Sequence, residues 1–226
     1  ILVSDVSPLA GLPDGIHLET IEAGPGGGTI NVPGLERCVV IENTPIAPEH
    51  FRMRLRAPGA SAGLPGQFTM VRTAPDEGTH LLLPRPMAVY RYLPDDGQID
   101  LVYRVIGEGT LAMSERRIGE DVEIVGPVGR PFVINPGTRG VLLVGRGIGI
   151  CSLTALAEDA SRGDLSVHGL LSGRAKDVVL GTEVFGSLAG SYEAANDGDG
   201  SSSMERVRSY IAEIMNLDEV GQAFVC

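Results

Sequence analysis

The sequence predicts an antiparallel six-stranded β-barrel followed by a parallel α/β sheet. Two patterns carry that prediction. Short runs alternating apolar and polar residues, broken by turn residues, fill the first half, and near residue 136 they give way to wholly apolar runs that alternate with helical periods. Composition permits both parts: 226 residues, 43% hydrophobic and 21% charged, are enough for one large core or two ordinary ones. The 31 glycines and 15 prolines predict many turns and close backbone approaches.

Residues 1–35 read as an extension or tail, because Gly24-Pro25-Gly26-Gly27-Gly28 separates only short apolar pieces. Residues 36–135 read as the barrel. In Phe51-Arg52-Met53-Arg54-Leu55-Arg56-Ala57, apolar residues and arginines alternate strictly, the period of a strand with one face in a core and one in water. Further strands are expected at Cys38–Ile41, Gln67–Arg72, Ala88–Tyr92, Ile99–Val105 and Val122–Val125, with turns at Pro58-Gly59, Pro65-Gly66 and Asp95-Asp96-Gly97. Six strands at this spacing suggest closure, interrupted by one helix over Thr110–Arg117.

Residues 136–226 read as the α/β part. Val141–Val144 is apolar throughout and bounded by glycines, as in a strand buried on both faces. A helix over Ser152–Ser161, a strand over Leu165–Leu171, a helix over Asp177–Leu188, a short strand near Tyr192 and a final strand over Gln222–Cys226 follow. Between the last two strands, Met204, Val207, Ile211, Ile214 and Met215 recur at helical spacing, and Ser202 with Glu205 forms a candidate capping box.

The net charge of −11 argues against nucleic acid, which needs a basic face to displace its counterions. All 18 basic residues are arginine except Lys176, as coding bias also produces. Cys38, Cys151 and Cys226 are odd in number and far apart, so they make neither a disulfide framework nor a C-x-x-C metal site, and a reducing, cytoplasmic setting is expected. No apolar run approaches the roughly 20 residues that span a bilayer, so no membrane partner is expected. His17, His50, His80 and His168 are isolated and form no ligand pattern. The chain starts at Ile1 without Met and stops after Ala223-Phe224-Val225, and both ends read as truncated.

Two stretches carry candidate chemistry. Val141-Leu142-Leu143-Val144 runs into Gly145-Arg146-Gly147-Ile148-Gly149 and then a helix, where glycines let a backbone approach a phosphate that the helix N-terminus stabilises. An ordinary tight βα turn has the same pattern. In Leu83-Pro84-Arg85-Pro86-Met87-Ala88, an arginine fixed between two prolines suits bidentate contact with a pyrophosphate, and a solvated surface arginine is the plainer reading. Tyr103-Arg104-Val105-Ile106-Gly107-Glu108-Gly109-Thr110 follows in the barrel, with Gly109 and Thr110 opening its short helix.

Taken together, from Cys38 to Cys226, these features resemble the ferredoxin-reductase superfamily, and within it the electron-transfer subunits of class 1B dihydroorotate dehydrogenase. The family's R-P-x-S segment is matched by Arg85-Pro86-Met87-Ala88, its G-x-G-T turn by Gly107-Glu108-Gly109-Thr110, and its G-P-x-G segment by Gly126-Pro127-Val128-Gly129. Its G-G-G-I-G loop is similar to Gly145-Arg146-Gly147-Ile148-Gly149, and its acidic glycine loop to Asn196-Asp197-Gly198-Asp199-Gly200.

The resemblance implies a flavin-binding barrel holding FAD at Arg85, Pro86, Met87, Ala88, Tyr103, Arg104, Val105, Gly109 and Thr110. It also implies a Rossmann-like nucleotide-binding domain holding NAD(P)H at Gly145, Arg146, Gly147, Ile148, Gly149 and Asp197. Cys226 stands where the family has a cysteine beside the nicotinamide, so it is the candidate catalytic residue; a small residue at a buried strand end is the plainer reading. The implied role is a flavin-dependent subunit of a hetero-oligomer, passing electrons from NAD(P)H through FAD to a catalytic or electron-accepting protein subunit. A [2Fe–2S] cluster is implied only if a cysteine cluster exists beyond residue 226, since such a cluster takes four ligands. Two rival roles are a reductase component of an oxygenase, and a non-catalytic flavin relay or docking subunit that has lost NAD(P) binding. The departures bear on these. Ala88 lacks the hydroxyl that the family's serine brings near the flavin, and Arg146 replaces a glycine, where it either reaches a phosphate or blocks the pocket.

Overall fold

The alternation in Phe51–Arg56 is realised as a strand whose Met53 and Leu55 are fully buried while Arg52 and Arg54 face outward. The computed structural model describes residues 20–22, 29–31, 34–73, 83–188, 190–217 and 220–226. Strands β1 (Thr20–Glu22) and β2 (Thr29–Asn31) pair antiparallel as a separate two-stranded sheet. The barrel comprises β3 (Gly34–Ala47), β4 (His50–Arg56), β5 (Phe68–Arg72), β6 (Arg85–Leu93), β7 (Gln98–Arg104) and β8 (Asp121–Val128). It closes in the order β3-β4-β7-β6-β5-β8.

Outside the barrel core, Arg54 holds the fully buried Asp100 through Nε at 2.6 Å and Nη2 at 2.8 Å, and Arg52 bonds Glu42 at 2.7 Å. Arg52 and Arg54 are therefore each paired with a carboxylate of the barrel wall.

Helix α1 (Glu108–Ser114) starts two residues before the expected span and ends three residues short of it. Its C-terminal end is held from β3. The Asn43 side-chain amide donates to the carbonyls of Met113 at 2.8 Å, Ser114 at 3.3 Å and Arg116 at 2.9 Å, and its oxygen accepts from the Tyr103 hydroxyl at 2.9 Å. These are the carbonyls that a helix end leaves without partners. Asn43→Ala is expected to destabilise the protein by about 2 kcal/mol, the cost of orphaning such groups. In a chain of this size that lowers Tm by roughly 4–8 °C, which calorimetry reads directly.

The second half forms β9 (Gly140–Arg146), α2 (Ile150–Arg162), β10 (Ser166–Gly173), α3 (Thr182–Phe185), β11 (Gly190–Asn196), α4 (Met204–Met215) and β12 (Val220–Val225). The sheet is parallel, in the order β11-β10-β9-β12. Val141, Leu142 and Leu143 are buried, as a central strand covered on both faces requires. Helix α2 joins the two halves: Ala155 packs into the barrel core, Tyr90 and Val102 pack into the sheet core, and Arg91 of β6 pairs with Glu158 at 2.7 Å.

Two expectations are corrected. The helix over Asp177–Leu188 is instead a 3₁₀ turn at Lys176–Val178 followed by the four-residue α3, because Gly181 adopts φ +85° and breaks the run. Ser202 does not cap α4. Ser203 occupies that position without a side-chain cap, while the Ser202 hydroxyl bonds Asp197. Of the apolar face of α4, Ile214 is buried but Met204 and Met215 are exposed. Among the described residues, no helix is long and apolar enough to cross a membrane.

Candidate functional site

Two recesses collect most of the sequence-predicted residues. The first, of about 300 Å³, is lined by Arg85, Pro86, Met87, Ile106, Gly107, Glu108, Gly109 and Thr110. Arg85 opens β6, flanked by Pro84 and Pro86, and its Nη1 donates to the Leu83 carbonyl, which ties the guanidinium back to the strand entrance. The guanidinium lies directly against Gly109: a Cβ there would overlap its Nε and Cζ. The Thr110 hydroxyl accepts from the N–H of Ile106 at 3.0 Å and of Gly107 at 3.3 Å, and donates to the Gly107 carbonyl at 3.0 Å. That side chain is engaged in its own turn, so the anion-binding capacity here rests on Arg85 and on first-turn backbone N–H groups such as that of Gly109.

Four residues expected with this group do not line the recess: Arg104 lines the second recess described below, and Ala88, Tyr103 and Val105 lie elsewhere in the barrel. Ala88 sits opposite Phe68 in the β5–β6 ladder. Tyr103 is buried at 2% exposure; its ring stacks on Phe51 at 5.9 Å, and burial pushes its phenol well above the usual range. Val105 is partly buried against the barrel core, its N–H donating to the Glu49 carbonyl at 2.8 Å.

The second recess, a crevice of about 270 Å³, lies between the β3–β4 turn of the barrel and the carboxyl ends of β9 and β10. In open α/β sheets this end of the strands is where ligands bind. The barrel contributes Pro48, Glu49, His50 and Arg104; the sheet contributes Arg146, Gly147, Ile148, Gly173, Arg174 and Val178. Gly145 packs so closely on α2 that a Cβ would lie 2.7 Å from the Ile150 Cα. Gly149 presses on the end of β12, where a Cβ would lie 2.8 Å from the Cys226 carbonyl oxygen.

Cys226 is exposed, which overturns the buried strand-end reading. Its N–H donates to the Val144 carbonyl at 2.9 Å, and its carbonyl accepts from the Arg146 N–H at 3.2 Å, so it braces the glycine loop through its backbone.

Two ion pairs border the crevice. Arg104 donates to one Glu49 oxygen through Nη2 at 2.7 Å and Nε at 3.1 Å. Arg146 donates through Nη2 to Asp197 at 2.7 Å, and the other Asp197 oxygen accepts from Ser202. Arg146 first, then Ser202, holds the Asp197 carboxyl below the ordinary carboxylate range; Arg104 does the same for Glu49. The Nδ1 of His50 donates to the Pro48 carbonyl at 2.7 Å.

Sequence reasoning missed Glu49, His50 and Arg174. The usable signal was for Arg174 alone, since it follows the second strand of a βαβ unit, where nucleotide-binding sheets place a ribose-reading residue. A larger recess of about 710 Å³, lined by Thr138, Arg139, Gly163, Asp164, Leu165, Ser166 and Leu217, sits at the amino ends of the strands, away from this chemistry. Among the described residues no group of three or more His, Cys, Asp or Glu comes together to hold a metal.

The chain superposes on a solved NADH-dependent reduced ferredoxin-NADP oxidoreductase with a TM-score of 0.69 at 24% identity, covering 83% of this chain and 66% of that one. It superposes on the ferredoxin-NADP+ reductase of Plasmodium falciparum with a TM-score of 0.64 at 10% identity, covering 84% and 83%. The fold is that of the ferredoxin reductases.

Sequence similarity points the same way. The electron transfer subunit of dihydroorotate dehydrogenase B (NAD(+)) from Fusobacterium nucleatum subsp. nucleatum is 29% identical over 167 residues, 73% of this chain and 64% of the relative. That of Shouchella clausii is 31% identical over 165 residues, 72% and 63%. That of Bacillus mycoides is 35% identical over 136 residues, 59% and 52%. The chain thus spans between about half and just under two thirds of the length of these curated relatives. No protein-family model matches it. The resemblance drawn from the motifs holds in sequence and in fold, and the ferredoxin-reductase fold places the Arg85 recess on the barrel and the glycine-loop crevice where barrel and sheet meet.

Proposed function

We propose that this chain is a flavin-dependent electron-transfer subunit that takes electrons from NAD(P)H and passes them to a partner protein. Residues 36–135 form the flavin domain and residues 136–226 the nucleotide domain. The observation that carries the reading is Arg85, whose guanidinium bonds the Leu83 carbonyl and lies against Gly109 so closely that a Cβ there would overlap it. The donor set fits FAD: a guanidinium fork and nearby backbone N–H groups match a pyrophosphate. A bound flavin supplies the conversion between hydride acceptance and electron release.

The protein's own part is binding and orientation. Arg85 and the Gly107–Thr110 turn hold the pyrophosphate. Gly145 to Gly149 bring backbone to the dinucleotide, and the backbone of Cys226 fixes that loop while its exposed thiol stands at the edge. Ala88 offers no hydroxyl, so any hydrogen bond to the flavin from this position comes from backbone. The partner is a catalytic or electron-accepting subunit, the assembly is a hetero-oligomer, and three free thiols suit a reducing cytoplasm. The four cysteine ligands of a [2Fe–2S] cluster exceed the three present, so such a cluster would draw on residues outside this sequence.

Anaerobic titration of the flavin-loaded protein with NADH and NADPH tests the reading, and bleaching of the flavin band is the expected result. A flavin that neither dinucleotide bleaches would favour the relay role, for which the Arg146–Asp197 pair in the glycine loop is the specific observation. A chain that takes up no FAD would end both readings.

A further inference from the structure

The two ion pairs bordering the crevice are built differently. On the barrel side Arg104 grips Glu49 with two nitrogens, and Glu49 is itself pinned: its φ is +61° and its carbonyl accepts from Val105. That pair is anchored at its Glu49 end. On the sheet side the order β11-β10-β9 puts Arg146, at the end of β9, two strands away from Asp197, which follows β11. Arg146 therefore spans the carboxyl end of β10 to reach it, with one contact of 2.7 Å, and both side chains are half exposed. Ser202 holds the second oxygen of Asp197, which makes Asp197 the fixed post and Arg146 the movable arm.

The crevice of about 270 Å³ falls below the ~300–1,000 Å³ of ordinary ligand pockets, and a dinucleotide is larger than most of their ligands. A dinucleotide seated here therefore extends past the border, where Arg146 stands. An exposed single-contact ion pair is worth little, and both partners rehydrate when it breaks.

We propose that Arg146 and Asp197 form an ionic strap at the sheet-side rim of the nucleotide crevice, closed without dinucleotide and opened as a dinucleotide enters. This rests on the reading that the crevice takes NAD(P)H. The strap lowers dinucleotide affinity by the free energy of the pair and makes that affinity depend on ionic strength, because salt screens exposed charges.

Calorimetric binding of NAD+ and NADP+ to the full chain tests it, with no need for turnover. Arg146→Gly is expected to tighten binding roughly two- to fivefold, the range an exposed pair allows. Asp197→Asn, which keeps the side-chain shape, is expected to do the same, and the double variant to gain no more than either single one. Weaker binding by Arg146→Gly would overturn the strap and make the guanidinium a phosphate ligand. Equal binding by wild type and both variants would overturn it while leaving the crevice reading intact. Binding of neither dinucleotide by any of the proteins would remove the crevice reading, and the strap with it.

Discussion

Arg85→Ala is expected to purify nearly free of flavin. The side chain is the fixed cation of the barrel recess: Pro84 and Pro86 restrict the backbone on either side, the Leu83 carbonyl holds Nη1, and Gly109 leaves the guanidinium room to lie flat over the turn. A hydrogen bond to a charged group contributes about 1.5–3 kcal/mol. Its loss therefore weakens FAD binding by roughly ten- to 150-fold. Arg85→Lys should recover part of the loss, because it keeps the charge but not the two-pronged geometry. Arg72→Ala is the matched control, since that arginine sits on the barrel exterior and bonds Glu123. The ratio of flavin to protein absorbance after purification and reconstitution reads all three, and full flavin content in Arg85→Ala would move the pyrophosphate site elsewhere.

What the sequence disclosed follows from how each element meets water. Strand β4 was legible because one of its faces is wet, so arginine alternates with Met53 and Leu55. Strand β9 was legible because neither face of its middle is, so Val141 to Val144 are uniformly apolar. Periodicity places the Tyr103 side chain in the barrel core, which the motif does not disclose: Ile99, Leu101 and Tyr103 share one face of β7, and all three are buried. The broken helix at 176–185 deceived because Val178, Val179, Leu180 and Val184 fall at helical spacing, while the left-handed φ of Gly181 leaves no trace in the pattern of apolar residues. The crevice was only half legible. The glycine loop is contiguous, but its barrel wall at Pro48, Glu49 and His50 and the partner of Arg146, 51 residues away, depend on strand order.

Gly145→Val is expected to abolish reduction by NAD(P)H while leaving flavin content normal. Gly145 lies on the central strand at the point where β9 hands the chain to the glycine loop, and its missing side chain is what lets α2 start against the sheet. A Cβ would stand 2.7 Å from the Cα of Ile150, a backbone atom that no rotamer change can move. The amino end of α2 must withdraw, and the Gly147–Gly149 turn withdraws with it. Overpacking of this kind costs about 1–3 kcal/mol, which, if taken from the geometry of the bound dinucleotide, weakens binding by about five- to 150-fold. The Arg85 recess shares no lining residue with the crevice, so FAD is retained. Gly145→Ala should fall between wild type and valine. The two effects separate in one anaerobic experiment: a yellow protein that NADH and NADPH bleach slowly or not at all supports the assignment, and normal bleaching of Gly145→Val would show that the dinucleotide does not depend on the junction of β9 and α2.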